Sequence, residues 1–133
     1  MENCIFCKII MGNIPAQKVF EDEESLAFLD IHPVTKGHLL LIPKLHIEWI
    51  QEVPDVLLAS MFSKTKKLIQ SMKESLLCDY VHISIVGKDV PHFHIHLIPR
   101  SFDDNLHGFP TLEYEGNEAE VIQEKISHAL DGE

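Results

Sequence analysis

The sequence predicts an α+β fold: a mostly antiparallel five-stranded sheet, one long helix and short helices near the two ends. Three observations carry this expectation. Strand-like stretches come as two hairpins, around residues 17–30 and 80–100; an unbroken apolar run, His38-Leu39-Leu40-Leu41-Ile42, stands between them; and long helical periodicity spans Pro54 to about Leu77. With 133 residues, 45% of them hydrophobic, the chain suits one compact core. No repeat, low-complexity tract or Gly/Ser linker divides it, so residues 1–133 are expected to form one domain, with its core in 3–100 and a tail over 101–133.

In chain order, CIFCKIIMGNIP places Ile5, Phe6, Ile9 and Ile10 at near-helical spacing before Gly12 and Pro15 stop it, which predicts one or two turns of helix. Gln17 to Glu21 and Ser25 to Asp30 flank the acidic turn Asp22-Glu23-Glu24 as a hairpin. The loop HPVTKG leads into the central strand, which Pro43 closes. Val56, Leu57, Met61, Leu68, Ile69, Met72 and Leu76 form the apolar stripe of the long helix; Pro54 suits its first turn and Asp55 its positive end. Tyr80 to Val86 reads as a strand, Gly87 to Pro91 as a tight connection, and VPHFHIHLIPR as the strand that returns beside it. After a loop-like stretch to Gly116, Glu118 to Leu130 reads as a short amphipathic helix.

The net charge of -10 argues against a partner held by a broad basic surface, so neither nucleic acid nor an anionic membrane is expected. No apolar run approaches the roughly 18 residues of a membrane span, and MENCIFCKII lacks the pattern of a secretory signal, so a cytoplasmic location is expected. Three cysteines are too few for a disulfide framework. Cys4-x-x-Cys7 has a spacing suited to metal or redox work, and Cys78 reads as a small apolar residue.

The most informative stretch is HFHIH. On a strand, His92, His94 and His96 share one face while Phe93, Ile95 and Leu97 take the other. A solvated strand face is the plainest account of such a row. A tri-histidine metal site is another, but same-face neighbours on one strand stand roughly 6 to 7 Å apart and converge poorly on one ion. Nucleophilic catalysis is the third: a neutral imidazole can attack phosphorus if its other nitrogen is held as a donor, and a flanking imidazole can support the charge. His94, in the middle, is best placed for attack.

HFHIHLIPR resembles the signature of the histidine triad (HIT) family, and CIFCKIIMGNIPAQKVFEDEESLAFLDIHPVTKGHLLLIPKLH is similar to that family's N-terminal half, so the resemblance covers roughly Asn3 to Arg100. It implies the HIT-like fold and a nucleotide hydrolase or transferase that cuts at the α-phosphate through a nucleotidyl-histidine, working as a homodimer on a purine nucleotide substrate. By position it implies His94 as nucleophile, His96 as its phosphate and leaving-group partner, and His38 in support. Asp30 and Ile31 match the pair at the ribose and nucleoside. In relatives that keep CxxC, the histidine of Pro-Lys-x-His and the first of the triad complete a structural zinc site, which here implies Cys4, Cys7, His46 and His92 as ligands. A metal-free reduced thiol pair is the alternative.

The chain departs from the family's pattern just before the triad. Many members carry Gly-Gln-Ser or Gly-Gln-Thr there; this chain has Gly87-Lys88-Asp89-Val90-Pro91, and the polar Asn usual on the preceding strand is not evident. Phosphate contacts are therefore expected from backbone N–H groups near Gly87 to Val90 or from Lys88. Arg100 is expected to face a polyphosphate tail or to pair with a carboxylate. His32 and His107 have no assigned role.

Overall fold

The computed structural model describes residues 3–106, 108 and 110–132; His107 lies outside them. Helix α1 (Ile5–Ile10) opens the fold, with the Cys4 sulfur accepting from the Cys7 N–H at its start. The acidic turn then does what its composition suggests. Asp22 Oδ1 accepts from the N–H groups of Glu24 and Ser25, both at 2.9 Å, and so closes the hairpin between β1 (Lys18–Glu21) and β2 (Ser25–Leu29). Strand β3 (Leu39–Pro43) pairs with β2, and a short 3-10 turn (Ile50–Glu52) leads to α2 (Asp55–Leu76). Strands β4 (Tyr80–Ser84) and β5 (Ile95–Arg100) follow, and α3 (Glu118–Asp131) ends the fold. The sheet runs β1-β2-β3-β5-β4 with every pair antiparallel, as expected for this α+β class.

Every residue of β2 and β3 is buried, because helices cover both faces of the sheet. The period of two sorts their side chains cleanly. Ala27, Leu29, Leu39, Leu41, Phe93, Ile95 and Leu97 share one core with Met61, Leu68 and Met72 of α2 and Ile126 of α3. Leu26, Phe28, Leu40 and Ile42 face the other way, onto Phe6, Cys7 and Ile9 of α1. His92, His94 and His96 have the parity of the α1 side. Truncating a fully buried member such as Leu41 to Ala is expected to cost about 2–5 kcal/mol.

Helix α3 adds to the main core and also guards an edge. Gln123 Nε2 donates to the Lys18 carbonyl at 2.6 Å and Ser127 Oγ to that of Val19 at 3.1 Å, so the open side of β1 is covered. The stretch before it folds back as well: Leu112 N–H donates to the Pro33 carbonyl, and the Tyr114 hydroxyl accepts from Gly37 N–H. Among the described residues, no helix is long and apolar enough to cross a membrane.

One expectation needs correcting. The connection between the last two strands is longer than Gly87 to Pro91: β4 stops at Ser84, opposite His96, and β5 begins at Ile95. His92 and His94 therefore precede the strand and do not belong to its ladder. The cause is a competing backbone bond, since Phe93 N–H donates at 2.6 Å to the Ile47 carbonyl of the loop after β3.

Candidate active site and metal centre

The free N–H and C=O groups around the three histidines decide their tautomers. His94 Nδ1 lies 2.7 Å from the carbonyl oxygen of His92. A carbonyl can only accept, so Nδ1 carries the proton and Nε2 of the neutral ring keeps a free lone pair. The ring is 4% exposed and meets Phe6 edge to face, with centroids 5.1 Å apart. It is held in orientation from both sides.

A second chain of bonds fixes His38 and His96. The Val34 N–H donates to His38 Nδ1 at 3.0 Å, which leaves the His38 proton on Nε2. That N–H donates across 3.0 Å to His96 Nδ1, so the His96 proton must sit on Nε2. Burial, reinforced by neighbouring imidazoles, pushes His38 down to about 3 and His96 down to about 4. Both rings are neutral at pH 7. The 3.7 Å approach of His38 Nε2 to Asp30 Oδ2 is thus a dipole–carboxylate contact and not an ion pair. The site offers a lone pair on His94 and an N–H on His96, on rings whose centroids are 4.8 Å apart.

These rings line a cleft of about 760 Å³. Asp30 and Ile31, at the end of β2, stand on its wall with His38; the loop after β4 contributes Lys88, Asp89 and Val90. Asp30 Oδ1 accepts from the His32 N–H at 2.9 Å, and burial raises its proton affinity, with that N–H acting in the opposite direction. Ile31 is 68% exposed, a large apolar side chain left open at the cleft.

Behind His94, four donors converge. Cys4 Sγ is 3.3 Å and Cys7 Sγ 3.5 Å from His92 Nδ1, and Cys7 Sγ is 3.1 Å from His46 Nδ1. All four donor atoms lie within 4.8 Å of one another. Zinc with its usual bond lengths in a tetrahedron would hold sulfur and nitrogen about 3.6 Å apart, so the cluster fits a metal of that kind. His92 presents the right tautomer: Nε2 lies 2.8 Å from the Pro43 carbonyl and carries the proton, leaving the Nδ1 lone pair toward the sulfurs. In the bare protein, burial and the hydrogen bond with Cys4 push the Cys7 thiol up to about 11; a bound cation is what would favour the thiolate.

Residues 11–103 match the HIT domain family. The chain belongs to the HIT family. It is 45% identical over 106 residues to the protein hit of Bacillus subtilis, covering 74% of this chain and 72% of that protein. With an adenosine 5'-monophosphoramidase of Saccharomyces cerevisiae it shares 36% identity over 135 residues, 97% of this chain and 84% of the relative. Its fold is similar to that of a Zn-bound histidine triad family protein of Mycobacterium smegmatis, with a TM-score of 0.88, 32% identity, and coverage of 98% and 95% of the two chains.

Within this HIT fold, His94, His96, His38, Asp30, Ile31, Lys88 and Val90 come to one cleft, while Cys4, Cys7, His46 and His92 come to one cluster beside it. Arg100 is spoken for: its guanidinium donates from Nε and Nη2 to Asp104 at 2.6 and 3.0 Å. His32, Ser84, Asp89 and Thr111 also line the cleft and were given no role from sequence. For Asp89 a signal existed, an acid standing within the segment where the family's usual residues are replaced. Thr111 had none, because nothing in the tail's composition shows that it folds back.

Proposed function

We propose that this HIT protein hydrolyses purine nucleotide derivatives at the α-phosphate, taking a dinucleoside polyphosphate or an adenosine phosphoramidate through a nucleotidyl-His94 intermediate. The observation that carries this reading is the His94 tautomer, with a lone pair on Nε2 beside the neutral His96 N–H donor. His94 Nε2 attacks the α-phosphorus, the bond to the leaving group breaks, and that group departs with the electron pair, a phosphoramidate nitrogen taking a proton from solvent to leave as the amine. Water then attacks the same phosphorus and gives up a proton to solvent, releasing the nucleoside monophosphate and returning the lone pair to His94. The His96 N–H stabilises the phosphoryl oxygen as charge builds, and His38 positions His96 through their hydrogen bond. Asp30 accepts from the ribose hydroxyls, Ile31 packs on the nucleoside, and Lys88 with the backbone N–H of Val90 serves the phosphate.

Zinc on Cys4, Cys7, His46 and His92 is a structural centre in this reading, a closed four-ligand site that ties α1 to the start of the triad. Three free cysteines suit a reducing, cytoplasmic compartment. We also infer a homodimer joined along β4, an edge strand with Tyr80 and Ile83 exposed. The replaced segment before the triad favours one rival, a nucleotide-binding regulator without turnover. Incubation with an adenylated substrate and acid-labile trapping of the nucleotidyl protein separates the two. Wild type should turn over and trap, and His94→Ala should lose at least about a thousandfold in kcat while still binding AMP. Binding by the wild type without turnover or adduct would establish the regulator instead.

A further inference from the structure

Asp89 places a carboxylate on the wall of the cleft that holds His94, His96 and Asp30. Among the described residues, neither it nor Lys88 has a hydrogen-bond or ion-pair partner. Burial dominates at the two groups nearest the chemistry, and the field of Asp89 acts on both, adding to the rise at Asp30 and opposing the fall at His96. Apart from its histidines, of which His38 and His96 are neutral at pH 7, the wall carries Asp30, Asp89 and Lys88, two carboxyl groups against one ammonium.

Such a wall distinguishes leaving groups by the sign of the charge they develop. When a phosphoric anhydride is cut, the electron pair of the P–O bond stays on oxygen and negative charge grows there, on a group already anionic. When a phosphoramidate is cut, the P–N pair stays on nitrogen, which takes a proton from solvent and departs as an amine, so positive charge is shared with that atom. A carboxylate several ångströms away opposes the first and favours the second, by roughly tenfold for each pair of charges in a part-exposed site.

We propose that Asp89 is a specificity-determining residue that selects nucleotides whose leaving group is an amine over those whose leaving group is a polyphosphate. This rests on the hydrolase reading above and chooses between its two substrate classes. Lys88 stands on the same wall with the opposite charge and makes no ion pair with Asp89, so removing the Asp89 carboxylate changes the charge facing the leaving group by one unit while Lys88 stays in place.

The test uses the full chain as purified, with no chelator added. Values of kcat/KM are measured on adenosine 5'-phosphoramidate and on diadenosine tetraphosphate for the wild type, Asp89→Asn and Asp89→Ser. AMP and ADP affinities are measured on the same three proteins. Wild type should favour the phosphoramidate, and both variants should shrink that preference about tenfold or more. ADP affinity should rise about tenfold relative to AMP in the variants. A wild type that prefers the tetraphosphate, or ratios unchanged within about twofold in both variants, would overturn the proposal. If the wild type turned over neither substrate, the hydrolase reading would fail, and the AMP to ADP affinity ratio would still decide whether Asp89 filters charge.

Discussion

His38 donates from Nε2 to Nδ1 of His96 across 3.0 Å, so a ring only 2% exposed decides which nitrogen of its neighbour carries a proton. The order of donors, Val34 N–H to His38 to His96, runs in one direction, and reversing it would set two protons against each other.

A pH dependence of stability follows from this relay. The folded values of about 3 for His38 and about 4 for His96 lie below that of the unfolded chain, near 6.5. Below pH 6.5 the unfolded chain binds protons that the folded chain refuses, so stability falls as pH drops through the window from 6.5 to about 4. The slope is about 1.4 kcal/mol per pH unit for a group such as His38. Urea unfolding at several pH values reads it, and His38→Asn, whose Oδ1 can still accept from Val34, should flatten it by about one group. Equal slopes in the two proteins would contradict the relay.

Asp30 is expected to matter through the sugar. Asp30→Asn should lower kcat/KM on a ribonucleotide substrate by about tenfold and leave the 2'-deoxy analogue little changed, because a carboxylate accepting two hydroxyl bonds loses most when both are present. Steady-state kinetics on the two sugars checks this. A parallel loss on both would move Asp30 from the ribose to another task.

The proposed zinc site can be tested without disturbing the start of α1. Cys4 Sγ both joins the four-donor cluster and accepts from Cys7 N–H at 3.2 Å, and a serine oxygen can keep the second role. Cys4→Ser should therefore lose stoichiometric zinc by elemental analysis and lower the melting temperature, with several kcal/mol of stability removed. A wild type folded with no bound metal would sink the assignment.

Gly37 offers a test of the fold alone. It has φ +101, and a Cβ there would fall 2.5 Å from Leu76 Cδ1 at the end of α2. Gly37→Ala should cost about 1–3 kcal/mol in chemical denaturation, from backbone strain and the clash together. An unchanged midpoint would mean that Leu76 gives way at no cost.

Much of this architecture is readable from local pattern. The acidic turn, the apolar run to Ile42 and the stripe from Val56 to Leu76 each use one neighbourhood of the chain, and the strands and long helix appear where those patterns end. What escaped was settled by distant partners. His92 and His94 leave the ladder because Phe93 N–H finds Ile47, and the tail returns to the cleft because Leu112 and Tyr114 find Pro33 and Gly37. None of these three bonds leaves a periodic trace. The same holds for the site: the alternation of HFHIH shows that three imidazoles share a side, but only the carbonyls of His92 and Pro43 and the N–H of Val34 show which nitrogen of each ring is free.

Besides its N–H, which donates to the Val90 carbonyl, His92 is anchored three times: its ring by Nδ1 in the four-donor cluster and by Nε2 at Pro43, its carbonyl at His94 Nδ1. The aim of the His94 lone pair is consequently referenced both to the four-donor cluster and, through Pro43, to the end of β3. In the proposed reading, a shift in how a bound cation grips this imidazole passes through a single residue to the angle of the His94 ring, so the cation would tune the alignment of the reaction as well as add stability.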